Sequence, residues 1–322
     1  MTMRELAKIA NVSPATVSKV FREADDVSYE TKQYIFNLAK EYGCFGKFYK
    51  GKYYKKIVAI IYPELVSNYY NSYVERLEKI LAKNNCIAVI SVCHYDSAKQ
   101  EELIEYYASY LRVDGIIVLG LKSKLKKGYE TPIVAMFSDA EKSIDSVDVD
   151  YQTALDEAID CLSDYGHREI AFLGETLNLK RAGLFRNAIK KLTLDEPLVY
   201  MSQYRFEEAG ADGVRHLLDT QSKCTAIICA YDTIAYGAIK EIQRSGLRVP
   251  DDISVIGIDN IHLSQFLETS LTSIGPNADE VCMIAWELLS KKMQNKHLYS
   301  NQYIVIKGKL FIRDSVAKLK EK

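Results

Sequence analysis

The chain lacks the features that mark membrane, secreted and metal-dependent proteins. No apolar run approaches the roughly 18 residues a membrane helix needs, and the opening MTMRELAKIANVSPATVSK places polar and charged residues where a secretion signal needs its apolar stretch. A cytoplasmic protein without a membrane partner is expected. The seven cysteines are odd in number and never spaced as CxxC, which argues against a disulfide framework and a zinc site. They read as reduced, mostly buried apolar residues. There is no G-x-x-x-x-G-K-[ST] phosphate loop, no G-x-S-x-G nucleophile turn and no H-E-x-x-H metal helix. No catalytic residue, metal or cofactor is therefore assigned, and the chain is not read as an enzyme. Net charge is nearly absent too, at −1.

What is present is length and apolar content. With 322 residues, 48% of them apolar, the chain can bury two real cores, and its composition is neither disordered nor fibrous. The small net charge hides a division: residues 1–56 hold 11 Lys+Arg and 6 Asp+Glu, while the remainder holds 31 and 37. A basic head on an acidic body suggests a polyanion partner for the head, although charge alone is also compatible with ordinary scatter.

The local pattern favours DNA. Met3 to Ala10 has Leu6, Ala7, Ile9 and Ala10 at helical spacing, and Asn11-Val12 makes a tight break. Ser13 then caps a second helix opened by Pro14, in which Val17, Val20 and Phe21 form the buried side. Ala15, Thr16, Ser18 and Lys19 are left to face outward, small or polar enough to approach bases and phosphates. Ser28 can cap a third helix through Tyr42, closing a core with Ile35, Leu38 and Ala39. Two helices joined by so short a turn form a helix-turn-helix, whose second helix enters the major groove.

LAKIANVSPATVSKVF followed by VSYETKQYIFNLAKEYG resembles the headpiece of the lactose-repressor/galactose-repressor (LacI/GalR) family of bacterial transcription regulators, in which A-x-x-A-x-V-S-x-x-T-V-S-[RK]-V and V-S-x-x-T-[RK] recur. The resemblance implies that Pro14 and Ala15 read base edges of double-stranded operator DNA, with Lys19 further along the helix and Ser13, Thr16 and Ser18 near phosphates. Ser13 can also serve as a cap, Pro14 as a helix starter and Lys19 as a solvated lysine.

Residues 43–56, GCFGKFYKGKYYKK, depart from that family. Gly46-Lys47 stands where Pro-Asn is usual, and the leucine of the hinge helix is missing. Five lysines and four aromatics fill residues 47–56, as in the lysine-rich linkers of a galactose-operon-repressor-like branch. Lys47, Lys50, Lys52, Lys55 and Lys56 could neutralise phosphates and Tyr53 or Tyr54 could wedge into the minor groove; equally, glycines at 43, 46 and 51 suit a flexible basic linker. The expected boundaries are a headpiece at 1–45, a linker or hinge at 46–56 and a body at 57–322.

In the body, short apolar runs at 57–62, 86–93, 115–120, 132–137, 169–174, 225–230 and 253–258 alternate with amphipathic helices. They predict a doubly wound α/β body of parallel strands in two halves. VDGIIVLG, Gly166-His167-Arg168 and AYDTIAYGAIKEIQRSGLRVPDDISVIGIDN are similar to the family's effector domain, which has a periplasmic-binding-protein-like fold. The resemblance implies three crossovers, near Asp148 to Asp150, Ser273 to Asn277 and Tyr299 to Tyr303. They would divide the body into one half of about 57–148 and 277–300 and another of about 150–274 and 303–322, with ligand in the cleft between them.

Sugar recognition asks for planar groups that pair with adjacent hydroxyls and for an aromatic face. By resemblance Arg181 and Asp259 are the first choices. Asp232 is either a ligand group or an N-cap on the following helix, and Tyr231 replaces an asparagine that usually helps bind ligand. Tyr69, Tyr70 and Tyr204 are candidate stacking surfaces, while His167 and Trp286 are assigned to structure. A sugar-binding transport protein would explain only the body, and an α/β hydrolase would need a nucleophile motif. The expected protein is a sugar-responsive repressor of a carbohydrate operon, working as a homodimer with a tetramer left open.

Overall fold

The computed structural model describes residues 1–49, 55–122, 125, 129–138, 144–192, 197–294 and 300–319. The chain divides into two compact units, one made of Met1–Lys56 with Asn85–Ile87 and one of the remainder.

The first unit opens with three capped helices, α1 (Met3–Ile9), α2 (Pro14–Phe21) and α3 (Tyr29–Glu41). Thr2 and Glu5 form a reciprocal capping box on α1, Ser13 accepts from the Thr16 N–H at 3.0 Å, and Ser28 accepts from the Thr31 N–H at 3.2 Å. Asn11 adopts a left-handed φ of 52°, which makes the tight break between α1 and α2. Leu6, Val17, Val20, Phe21, Ile35 and Ala39 are buried together.

A fourth helix, α4 (Phe45–Phe48), spans the expected boundary between the headpiece, 1–45, and the linker or hinge, 46–56. Phe45 and Phe48 pack edge-on against Phe21, with centroids 6.0 and 5.5 Å away, and Phe45 also meets Phe36 at 5.3 Å. Gly46 inside a helical turn costs about 1 kcal/mol, whereas burying one aromatic ring stabilises by about 1.5–3 kcal/mol. The rings decide, and the chain up to Tyr49 packs with the headpiece.

After α4 come β1 (Lys56–Tyr62), α5 (Asn68–Lys83), β2 (Cys86–Val92), α6 (Ser97–Glu105), β3 (Gly115–Leu119), β4 (Ile133–Met136) and β5 (Asp145–Asp150), all but Lys56 and the start of β2 in the second unit. It continues with α7 (Tyr151–Asp164), β6 (Ile170–Glu175), α8 (Leu179–Ile189), β7 (Val199–Ser202), α9 (Phe206–Asp219), β8 (Ala226–Cys229) and α10 (Asp232–Arg244). β9 (Ser254–Ile258), β10 (Thr272–Gly275), α11 (Ala278–Gln294), β11 (Tyr303–Lys307) and β12 (Lys309–Phe311) complete it. Two six-stranded sheets result, ordered β11-β5-β4-β3-β1-β2 and β12-β10-β9-β8-β6-β7. β3, β4 and β8 are buried along their whole length, as strands covered on both faces must be. The one departure from parallel pairing among the described registers is β12, antiparallel to β10.

α9 and α10 cross with their backbones in contact. A Cβ at Gly210 would lie 1.9 Å from the Ile234 carbonyl oxygen, and one at Gly237 would lie 1.8 Å from that of Glu207. Only glycine fits either position. His167, assigned to structure, is buried between Thr225 and the Ala317 carbonyl, 2.9 and 3.0 Å from its ring nitrogens, and burial lowers its pKa.

The chain passes between the sheets after Asp150, again between Gly275 and Ala278, and finally at Gly308. The last passage lies later than the 299–303 expected from the sequence, because Tyr303–Lys307 pairs in parallel with β5 and so belongs to the first sheet. Ile304 and Ile306 are its less exposed residues, and its apolar stretch, Tyr303 to Ile306, is only four residues long. Gly308 donates its N–H to Asp150 O at 3.1 Å, so the first and last crossovers touch.

Candidate functional site

On the headpiece, the capping geometry sets which side of α2 is free. Val17, Val20 and Phe21 point into the core; Ser13, Pro14, Ala15 and Lys19 are exposed, and Thr16 and Ser18 are partly so. The six candidate DNA contacts thus share the uncovered side of one short helix. Ser13 also serves as the cap. Lys19 donates to Asp26 at the surface, and that hydrogen bond holds the Asp26 carboxyl below its usual pKa. An ion pair so exposed exchanges readily for a phosphate. Lys47 bonds to the Met1 carbonyl at 3.1 Å and lies over the Phe48 ring, so it docks on the headpiece itself. Lys50, Lys52, Tyr53 and Tyr54 lie outside the described residues.

In the body, a cavity of about 350 Å³ opens between the two sheets. Its lining comes from the carboxyl ends of β1, β2, β4, β5, β6, β7, β8 and β9 and the segments that follow them, where backbone groups and side chains are free to turn towards a ligand. Arg181, at the start of α8, donates to Asp259 at 2.6 Å and to the Ala230 carbonyl. Its guanidinium lies 5.0 Å from the Tyr151 ring centroid and 5.9 Å from that of Tyr69. Asp259 follows β9 with a φ of 117°, and Asn260 takes 49°. This unfavourable turn is pinned by bonds from the Asn260 N–H to the Ser273 hydroxyl and from the Ile261 N–H to Asp232, at 3.0 and 2.9 Å. Burial pushes the Asp259 carboxyl up to about 6, with Arg181 holding it back.

Asp232 is not an N-cap. Tyr231 takes the cap position, without a side-chain bond, while the Asp232 carboxylate turns inward to accept from Ile261 N–H and from the Ser264 and Ser273 hydroxyls. The tertiary contacts outcompete the local one. Burial, then the neighbouring Asp259, push Asp232 up to about 7.

Tyr69 and Tyr70 line the cavity, and Tyr69 meets Tyr73 and Phe137 at 5.0 and 5.3 Å between centroids. The Tyr69 hydroxyl lies 3.3 Å from that of Tyr151. Tyr231 faces Phe206 at 5.9 Å on another side. Tyr204 is not brought to the cavity: it is 40% exposed, and its two successors take the inward positions instead.

Those successors escaped the sequence reading. Arg205 forks onto Glu64 at 2.7 and 2.9 Å and reaches Glu175 through Nε at 3.2 Å, joining the two halves across the cavity. The Tyr95 hydroxyl also donates to Glu64, at 2.8 Å, and the Phe206 N–H donates to Glu175 at 3.2 Å. Glu175 ends β6 and Arg205 follows β7, so attention to every strand's carboxyl end would have marked both; strand β7 itself was missed. Glu64 follows β1 but carries no motif.

Comparison with known proteins gives two family matches: "Bacterial regulatory proteins, lacI family" over residues 2–43 and "Periplasmic binding protein-like domain" over residues 159–316. The chain is similar to the HTH-type transcriptional repressor CytR of Escherichia coli strain K12, 28% identical with 99% of this chain and 97% of that protein covered. It is also similar to the ribose operon repressor of Haemophilus influenzae, 26% identical with 99% of both covered. Among solved structures, a transcriptional regulator CelR–cellobiose complex shares the fold, with a TM-score of 0.68, 23% identity, and 98% of this chain and 99% of that one covered. No helix among the described residues is long and apolar enough to cross a membrane.

Proposed function

The chain belongs to the lacI family of bacterial regulatory proteins, and we propose that it is a repressor of a carbohydrate-utilisation operon whose hold on DNA is set by a small sugar or sugar derivative in the cleft. One observation carries the effector half of this reading: Arg181 and Asp259, fixed on each other, meet an aromatic wall in a cavity lined from both halves. Paired charged groups fit adjacent hydroxyls, and ring faces fit the C–H surface of a sugar. The ribose operon repressor, a relative of similar length, bears a sugar in its name.

The DNA half rests on the free side of α2, where Pro14 and Ala15 meet base edges and Ser13, Thr16, Ser18 and Lys19 lie near phosphates. Two headpieces of a homodimer would meet the half-sites of a near-palindrome. Ligand closing the cleft turns the first halves of the two bodies relative to one another and changes the spacing of the headpieces, so DNA and sugar affinities are linked. The protein works by binding in the cytoplasm and makes or breaks no covalent bond.

Selection of duplexes from a random pool tests the DNA half, and a thermal-shift screen of mono- and disaccharides tests the effector half. Enrichment of a two-half-site sequence is expected, as is stabilisation of about 2.7 kcal/mol by a sugar present at about 100 times its dissociation constant. A pool that enriches nothing above random DNA would refute the repressor reading.

A further inference from the structure

Among the described residues that line the cavity, Glu64, Asp148, Asp150, Glu175, Asp232 and Asp259 outnumber the cations Lys180, Arg181 and Arg205. Lys180 is exposed. Both arginines are engaged: Arg181 with Asp259, and Arg205 with both carboxylate oxygens of Glu64 and one of Glu175. Glu64 and Glu175 are 7% and 1% exposed, so neither has water to turn to if the arginine is taken from it.

Resting on the reading of the cleft as an effector site, we propose that the effector carries no negative charge, and that Glu64 and Glu175, by holding Arg205, are the residues that exclude phosphorylated sugars. A sugar phosphate carries a charge of roughly −1.5 to −2 at neutral pH and needs a fork of donors to offset its desolvation. Arg205 is such a fork lying across the cavity, but its in-plane bonds already go to Glu64 and Glu175, and a phosphate that took them over would leave two buried carboxylates unpaired beside the newcomer. Asp232, its pKa raised first by burial and then by the neighbouring Asp259, shows that a second negative charge here is resisted. A neutral polyol meets no such barrier. Its hydroxyls can donate to the carboxylates, and Tyr69 and Phe206 line the cavity from opposite halves.

The test uses the full chain and three anionic probes, inorganic phosphate, ribose 5-phosphate and glucose 6-phosphate, followed by thermal shift and equilibrium dialysis at constant ionic strength. The wild type should show no saturable binding of any of them. The Glu64→Gln/Glu175→Gln variant should gain saturable phosphate binding, on the order of tenfold tighter than any residual wild-type affinity, and Arg205→Met should remove the gain. Saturable binding of any probe by the wild type overturns the proposal, as does a folded double variant that gains nothing. Should the double variant not fold, Glu64→Gln alone is held to the same criterion. None of these readouts involves an operator or a neutral sugar, so a failure here leaves the repressor reading standing, and a failure to find an operator leaves the charge rule standing.

Discussion

Replacing Arg181 with methionine removes the cation from a buried pair, and the cost should depend on pH in a way that identifies the pair. The side chains of Arg181 and Asp259 are 17% and 6% exposed. Breaking such a pair typically costs about 3–5 kcal/mol, because the remaining charge is stranded. Asp259 can escape part of this by taking a proton, and its carboxyl already stands near 6 through burial. Its folded value exceeds its unfolded one, so the folded chain binds that proton more tightly and stability falls as pH rises from about 4 to about 6. Without Arg181 the carboxyl rises further, and the fall should extend towards pH 8. We therefore expect Arg181→Met to lose about 3 kcal/mol at pH 8 and only about 1–2 kcal/mol at pH 5, where the remaining loss reflects the bond to the Ala230 carbonyl and the packing on Tyr151. Urea unfolding followed by circular dichroism at the two pH values measures this. Adding Asp259→Asn should recover most of the pH 8 loss. Equal losses at both pH values would refute the stranded-carboxylate argument.

Asp232→Asn should flatten the dependence of stability on pH between about 4 and 7, since the folded value near 7 makes the wild type lose stability as pH rises through that window; urea midpoints at pH 5 and 7.5, compared with wild type, report it. Gly237→Ala should lower the melting temperature of the body by an amount equivalent to about 1–3 kcal/mol or prevent folding, because the added methyl meets the Glu207 carbonyl and pushes α9 from α10; an unchanged melting curve would mean the helices do not pack so closely. Lys19→Ala and Ala15→Asp should each weaken binding to the selected operator while leaving the melting of the body unchanged, as read by gel shift at fixed salt; unchanged affinity in both would sink the assignment of α2 to the groove.

The sequence made the headpiece legible because its signals are local. Ser13, Pro14 and Ser28 state where helices begin, and Val17, Val20 and Phe21 state which side is buried. Six of the seven apolar runs mark strands that are mostly buried, which makes them continuous in sequence; the seventh, 86–93, marks the half-exposed edge strand β2. β5 escaped because Asp145, Asp148 and Asp150 break it, and β11 because its apolar stretch, Tyr303 to Ile306, is only four residues long. α4 escaped because the burial of Phe45 and Phe48 depends on partners more than 20 residues upstream or on another helix, which glycine propensity cannot report. In the cleft, Arg181, Asp259, Tyr69, Tyr70, Tyr231 and Asp232 were found through strand ends and family resemblance, and they do line one cavity. Resemblance could not reveal that Asp232 would serve three donors distant in sequence, or that Arg205 rather than Tyr204 would face inward. Both depend on which side chain a turn presents, a property fixed by tertiary packing.

The most direct measurement is a reciprocal titration: operator affinity by fluorescence anisotropy with and without saturating sugar, and sugar affinity by calorimetry with and without operator. If the cleft and the headpiece are linked as proposed, sugar changes operator affinity by some factor, and operator changes sugar affinity by the same factor, on the order of 5–150-fold. A sugar that binds in the cleft, is lost in Arg181→Met, and yet leaves operator affinity unchanged would contradict the linkage.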